Sequence, residues 1–269
     1  IAQFELRAHA GARTVRHVRL KHEVTAPGWL SADLHVHTAH SDDAVRGGVS
    51  ALDLQAEGVE LAVATDHNRI GDLGDSVGAL AGAEITTWQP EIGHFNAFPL
   101  RRLPAWRGTS PQALFAELSR DPHVFVQINH PRLDAHIAYF ELGRFDGERF
   151  HRPNYHLDVH GLEVWNGYDI ARPERVLSLL EEWRGWLGRG HRLTATGGSD
   201  SHGGHRPGYP RTYVRASGRD DLAPALKAGR AFVTNGPLLR FAVEGAGPGD
   251  RLEVAPGSEL SVEVGIAAA

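Results

Sequence analysis

Short runs of apolar residues alternate along this chain with longer stretches in which apolar positions recur every three or four residues. The short runs are Asp33–Val36, Leu61–Thr65, Gly82–Thr86, His94–Pro99, Val124–Asn129, Leu162–Trp165 and Leu193–Thr196. Each has the length of a buried strand. Helix-like segments lie between several of them. Val49–Ala56 is one, and Pro111–Leu118 is another, with Ser110 as N-cap and Pro111 at the first helical position. The longest is Arg172–Leu187, where Val176, Leu179, Leu180, Trp183 and Leu187 fall at helical spacing. Strands alternating with helices predict a parallel sheet, open or closed into a barrel.

The two ends read differently. Phe4–Ala8 and Val15–Val24 are expected to be short strands joined by a turn at Gly11, with a break at Pro27-Gly28. Beyond the run Arg211–Arg215 and a short helix around Leu222–Ala228, the tail from Leu238 to Val264 alternates like β structure. GAGPGD and APGSE mark its turns. The expected division is an N-terminal β segment over 1–28, one α/β domain over 29–235 and a C-terminal β appendage over 236–269. A chain of 269 residues suits one large core with appendages.

Composition narrows the chemistry. A net charge of −5 with no run of Lys or Arg offers no nucleic-acid patch. No apolar stretch approaches the ~20 residues that a membrane-spanning helix needs. The absence of Cys removes thiolate ligands, so any metal must be held by His and carboxylate. The chain opens on Ile1 and contains no Met. It reads either as a piece of a longer protein or as a sequence lacking modified Met residues, in which case some spacings are short by one. A signal peptide would fall outside it, so location stays open and export is compatible with it. The informative excess is the 17 His.

Those histidines gather where the apolar runs finish. In DLHVH, His35 and His37 are two apart and share one face of a strand, a ready pair of nitrogen ligands. Asp42 follows in the next loop, whereas Asp43 reads as a solvated or capping residue. TDHN places Asp66 and His67 after the second run, and Glu84 sits inside an apolar strand, where a carboxylate is costly unless paired or bound to a cation. GHFNAF opens with His94, and VFVQINHPR ends on Asn129, His130 and Arg132. TATGGSDSHGG turns at a Gly pair and presents Asp200 and His202. Each has a bland explanation alone; together, at strand ends that converge in a barrel, they suit a multinuclear hydrolytic site with Glu84 as bridging carboxylate.

In that order, DLHVHTAHSDD, TDHN, the Glu of GAEITT, GHFNAF, NHP and GSDSHG resemble the motif set of the PHP (polymerase and histidinol phosphatase) superfamily over roughly Ala32–Gly204. TDHN, GHFNAFPL, NHPR, EVWNG and AGRAFVTNGP are similar to its carbaryl-hydrolase-like (CehA/McbA-like) branch. The resemblance implies a distorted (β/α)7 barrel, akin to a TIM barrel, with two or three divalent ions (Zn, Mn or Fe) at the strand ends. It implies one ion on His35, His37, Glu84 and Asp200, with Glu84 bridging to a second held by His94 and His130. A third would take Asp42, His67 and His202, with His40 an alternative to Asp42, which spacing favours.

A hydroxide shared between the ions would then attack phosphorus or a carbonyl carbon, with Asp200 and Glu84 central to the reaction. Arg132 would contact a substrate anion or else lie on the surface. Asp33, Asp66 and Asn129 would orient imidazoles, and His205 and Arg206 would stand at the pocket rim. The leading expectation is a phosphoesterase acting on a small-molecule phosphoester or other anionic ester. A carbamate, ester or amide hydrolase comes next, then a binding module in which metals merely hold loops together.

Overall fold

The computed structural model describes the chain apart from residues 1–4, 6, 8, 12, 19–23, 46, 75–77 and 269. Most of the expected strand Phe4–Ala8 and part of Val15–Val24 lie outside the described residues, and Glu5 and Arg7 are in no strand. Residues 13–18 form no strand, and Val15 and Val18 are exposed.

All seven short apolar runs are strands. They divide between two five-stranded sheets. In the first, β1 (Leu30–Val36) pairs in parallel with β2 (Leu61–Ala64), and β2 with β3 (Gly78–Ala81). On the other side of β1, β9 (Arg211–Val214) and β10 (Ala231–Thr234) add antiparallel strands. The second sheet runs β4 (Ala83–Thr86), β5 (His94–Phe98), β6 (Phe125–Ile128), β7 (Gly161–Asn166) and β8 (Thr194–Gly198). Only β6, β7 and β8 are parallel there; β5 is antiparallel to both neighbours. The ladders form two sheets and do not close into the expected barrel.

Backbone hydrogen bonds join the sheets at two seams. At one seam, Asp200 N–H donates to His35 O (2.8 Å) and His37 N–H to Ser201 O (3.0 Å). At the other, Glu84 N–H donates to Asp66 O (3.3 Å) and Asn68 N–H to Glu84 O (2.8 Å). Buried side chains complete the first seam where a ladder would otherwise run. Asp33 accepts from the backbone N–H of Ser199 (3.0 Å) and Gly208 (2.6 Å), and Thr212 Oγ1 exchanges bonds with Gly197.

Helices cover the sheets, and their ends follow the sequence. Ser50 and Asp53 form a capping box for α1 (Ala51–Ala56), and Ser110 Oγ accepts from Ala113 N–H at the start of α2 (Pro111–Leu118). A single turn, α3 (Tyr139–Leu142), precedes α4 (Pro173–Gly188), and α5 (Leu222–Lys227) follows β9. The buried stripe of α4 is Val176, Leu179 and Trp186, with Leu180 and Trp183 partly buried; Leu187, expected on this stripe, is exposed. One core packs α2, α3 and α4 on the second sheet through Phe95, Phe115, Tyr139, Phe140 and Trp186. A second joins the sheets through Leu34, Val63, Phe98 and Phe125, plugged by Leu222 and Leu226 of α5. The tail forms a two-stranded antiparallel ribbon, β11 (Leu238–Val243) with β12 (Val262–Ala267). No helix among the described residues is long and apolar enough to cross a membrane.

Candidate metal centre

Period-two geometry sends His35 and His37 inward from β1 while Val36 turns to the core behind it. Both histidines are fully buried, as is Glu84 on β4. His94 opens β5, His130 follows β6, His67 follows β2, and Asp200 and His202 follow β8. His130 and Asp200 hold positive φ (26° and 52°), a backbone region that non-glycine residues rarely occupy and that recurs at functional sites.

The centre of this arrangement is a tetrad. Glu84 Oε2 and Asp200 Oδ1 each face both strand histidines: His35 Nε2 at 3.5 and 3.3 Å, His37 Nε2 at 3.4 and 3.2 Å. Four ligands at bonds of 2.0–2.1 Å around a tetrahedral ion stand about 3.3 Å from one another. The other Glu84 oxygen, Oε1, faces His94 Nδ1 (3.1 Å) and His130 Nε2 (3.3 Å), so this carboxylate lies between two sets of imidazoles. Four overlapping groups of His, Asp and Glu among the described residues have ligand atoms close enough to share an ion. These buried clusters suit divalent metals.

Hydrogen bonding at the back of the rings supports this fit. His35 Nδ1 is bonded to Glu163 Oε1 (2.9 Å), His202 Nδ1 to the Asp200 carbonyl (2.9 Å) and His37 Nδ1 to Ser41 Oγ (3.0 Å), whose own hydroxyl donates to Asp43. In a neutral ring each such bond puts the proton on Nδ1 and leaves Nε2 as a bare lone pair. Those three Nε2 atoms, together with Glu84 Oε2 and His130 Nδ1, are buried without a hydrogen-bond partner. Lone pairs aimed at carboxylate oxygens repel unless the rings take up protons or a cation sits among them.

The electrostatics express the same demand. Burial would raise the Glu84 carboxyl, yet His35, His67, His94 and the bond from His130 hold it well below the usual carboxylate range. Burial likewise opposes ionisation of Asp200, and His35 and His37 reverse it. Burial would lower His35, but Asp200, Glu163 and Glu84 raise it well above an ordinary imidazole, while burial keeps His37 below one. His67 is pushed up to about 9, burial opposing and Glu84 and Asp43 prevailing. In the absence of a cation the carboxylates draw protons onto the rings; a cation competes for the same lone pairs.

Eight of the nine predicted ligands come together; the exception is Asp42, which joins none of the clusters, whereas Asp43, exposed like it, reaches one from the rim. Asp43 takes its place, 3.1 Å from His67 Nε2 and 3.0 Å from His202 Nε2. The reason is the tight turn after β1, closed by Ser41 N–H to Thr38 O and Ala44 N–H to Ser41 O, which brings the second Asp of the pair within reach of His67 and His202 at the rim. His40 is exposed as well. Arg132 does not face the centre as an anion contact. Its guanidinium is engaged by Glu182 (2.6 Å) and Glu141 (2.5 Å) and stacks near Phe140 and Phe145. Arg206 is paired with Glu57.

Among the described residues, none of those expected to orient imidazoles is hydrogen-bonded to one. Asp33 holds backbone N–H groups, and Asp66 accepts from Thr38 N–H (2.6 Å) and Thr38 Oγ1 (2.7 Å). Asn129 instead donates to Glu84 Oε1 (2.9 Å), at the end of a buried chain in which Thr196 donates to Gln127 and Gln127 to Asn129. Imidazoles are oriented by residues the sequence reading passed over: Glu163, Ser41 and Thr86, the last 2.6 Å from His67 Nδ1. Glu163 carries the signal that exposed Glu84, a carboxylate inside an apolar strand.

No protein-family model matches the chain, and a search of curated proteins found no match. Solved structures do match. One is a two-domain protein from Bacteroides vulgatus containing a predicted PHP-like metal-dependent phosphoesterase: TM-score 0.52, 22% identity, 81% of this chain and 69% of that one covered. PsfC from Pseudomonas syringae gives TM-score 0.50 at 18% identity, over 77% of this chain and 91% of its own. The lesion-specific endonuclease PfuEndoQ from Pyrococcus furiosus stands further off, with TM-score 0.48, 12% identity and coverage of 76% and 57%. At these identities the likeness is one of fold alone.

Proposed function

We propose that this chain is a metal-dependent hydrolase of phosphoesters with two or three divalent ions. The observation that carries the reading is the set of bare Nε2 atoms of His35, His37 and His202, each fixed by a bond at Nδ1 and aimed at carboxylate oxygens. His35, His37, Glu84 and Asp200 would hold one ion. Glu84 would share its second oxygen with another on His94 and His130, and Asp43, His67 and His202 would hold the third. Bound there, such ions supply Lewis acidity and lower the pKa of coordinated water towards ~7.

The protein's own groups set the rest. With three dications the positive charge exceeds that of Glu84, Asp200, Asp43 and Glu163, which favours an anionic phosphoester over a neutral carbamate. Asn129 fixes the rotation of Glu84, and Asn166, donating to both Glu163 (3.0 Å) and Asp200 (3.0 Å), fixes those two carboxylates relative to each other. The strands β1, β2, β4, β5, β6, β7 and β8, with seams at β2/β4 and β8/β1, fit a distorted seven-stranded PHP barrel opened at two places. We read residues 29–235 as that domain and 236–269 as an appendage. A carbamate or ester hydrolase of the carbaryl-hydrolase-like branch is the second reading. It is favoured by Trp88, 55% exposed in the loop between Glu84 and His94, where an aromatic leaving group could rest.

The test is metal content per chain by plasma mass spectrometry, on protein purified without chelator or His-tag, with turnover of bis(p-nitrophenyl) phosphate. Two to three ions and chelator-sensitive turnover, abolished in Asp200→Asn, are expected. A chain that stays metal-free after Zn, Mn and Fe are offered sinks the reading. A loaded chain that cleaves p-nitrophenyl esters or carbamates but not phosphates shifts it to the second.

A further inference from the structure

Tyr168 lies on the 3-10 turn Gly167–Asp169 after β7, two residues beyond the Asn166 that holds Asp200. One local bond fixes this turn, and two contacts hold it against the loop bearing Asp200 and His202. Its backbone N–H donates to Asn166 Oδ1 (3.0 Å). Gly167 runs so close to that loop that a Cβ would stand 2.0 Å from the Ser199 carbonyl oxygen. The phenol ring meets His205 edge-on (5.0 Å, 70°), and His205 Nε2 is bonded to the same Ser199 oxygen (2.7 Å).

A side chain so firmly placed would ordinarily be buried, yet Tyr168 is 51% exposed and its hydroxyl has no hydrogen-bond partner among the described residues. The charges that reach it are those of the centre. Burial first, then Asp200 and Asp43, raise the phenol above its usual value, with His35 opposing and Glu84 adding. It therefore remains a donor throughout neutral pH. The ring is packed against His205, and the exposed hydroxyl is free to meet a ligand.

We propose that the Tyr168 hydroxyl donates a hydrogen bond to a non-bridging oxygen of a phosphoryl group bound at the centre, which makes Tyr168 a substrate-binding residue. The inference rests on the phosphoester reading and deepens it. Phosphoryl transfer asks a protein mainly for positioning and charge stabilisation, and a preorganised donor aimed at an oxygen that gathers charge serves both.

Manganese-loaded wild type and Tyr168→Phe test it with two readouts: binding of inorganic phosphate by calorimetry, and turnover of bis(p-nitrophenyl) phosphate. The variant is expected to bind phosphate about five- to tenfold more weakly, the worth of one hydrogen bond. Its kcat/KM should fall by about tenfold or more, with metal content and Tm unchanged. A fall in kcat at constant KM would place the bond in the transition state; a rise in KM alone would place it in the bound ground state. Values within twofold of wild type in both readouts overturn the inference and leave the hydrolase reading standing. Weakened phosphate binding in a chain that turns over no phosphoester keeps the inference and removes the hydrolase reading. A loaded wild type that neither binds phosphate nor turns over removes both.

Discussion

Glu163→Gln separates orientation of the ligands from their presence. In the native chain, Glu163 Oε1 accepts from His35 Nδ1 (2.9 Å), while Oε2 accepts from His130 N–H (2.8 Å) and Asn166 Nδ2 (3.0 Å). Three donors converge on a side chain with none of its own, and it is fully buried. Glutamine keeps the shape but replaces one acceptor oxygen with an NH2 group. If that NH2 faces His130 and Asn166, two buried donors are stranded, at about 1–3 kcal/mol each. If it faces His35, it donates to Nδ1, and the ring proton moves to Nε2, pointing at Glu84 and Asp200. That arrangement strands nothing but spoils a ligand, and losing such an orienting partner costs about 10–100-fold in metal affinity, or roughly 1.4–2.7 kcal/mol. The second arrangement is the cheaper. Glu163→Gln should therefore fold with a Tm, measured with metal removed, close to that of the wild type. In competition with a chromophoric chelator it should bind Zn about 10–100-fold more weakly. A variant that loses several degrees of Tm but keeps wild-type affinity would refute this reasoning, since Glu163 would then be a packing residue.

The choice between the paired loop carboxylates is tested by single substitutions: Asp43→Asn should lose about one ion per chain or hold it at least tenfold more weakly, whereas Asp42→Asn should keep wild-type stoichiometry by mass spectrometry. The reverse result would restore Asp42 as the ligand. His160 supplies a pH prediction remote from the centre. Burial, then Lys227, depresses it to about 4, and its Nδ1 accepts from Val126 N–H (3.0 Å). Because its folded value lies below the unfolded ~6.5, its contribution to stability is complete above pH 6.5 and is lost as pH falls through about 4. His160→Asn, which keeps an acceptor and does not titrate, should flatten the fall in denaturation midpoint between pH 6.5 and 4; superimposable profiles would remove His160 as the cause.

Much of the candidate site was legible because its chemistry conflicts with its surroundings. A His-x-His pair in a strand, a Glu in an apolar run and an Asp-x-His after a Gly pair are costly unless they have a purpose, and all of them meet. What the sequence could not carry is direction at one-residue resolution. Asp42 and Asp43 are neighbours of one type, and only the turn at Thr38–Ala44 decides which reaches His67 and His202. Arg132 follows a ligand, yet Glu182 and Glu141, 50 and 9 residues away along the chain, claim it. Asp33 and Asp66 lie close to His35 and His67 along the chain, but Asp33 accepts backbone N–H groups at the seam between the sheets, and Asp66 accepts from Thr38 N–H and Oγ1 at the end of its own sheet. The barrel expectation foundered on the same seams: periodicity identifies strands, whereas closure depends on register between distant ones. β3 (Gly78–Ala81), short and poor in β-branched residues, gave no signal of its own.

Those seams have a consequence for the life of the folded chain. Two of the three proposed ion sites draw on both sheets: one sheet brings His35, His37, Asp43 and His67, the other Glu84, Asp200 and His202. Drawing the sheets apart by an ångström would stretch the pairs of His35 and His37 with Glu84 and Asp200, and of Asp43 with His202, at once, so an ion in either place would act as a rivet between the halves of the molecule. Free metal a hundredfold above its dissociation constant would add about 2.7 kcal/mol to that rivet. Metal supply would then govern how long the chain survives proteases, as well as how fast it turns over.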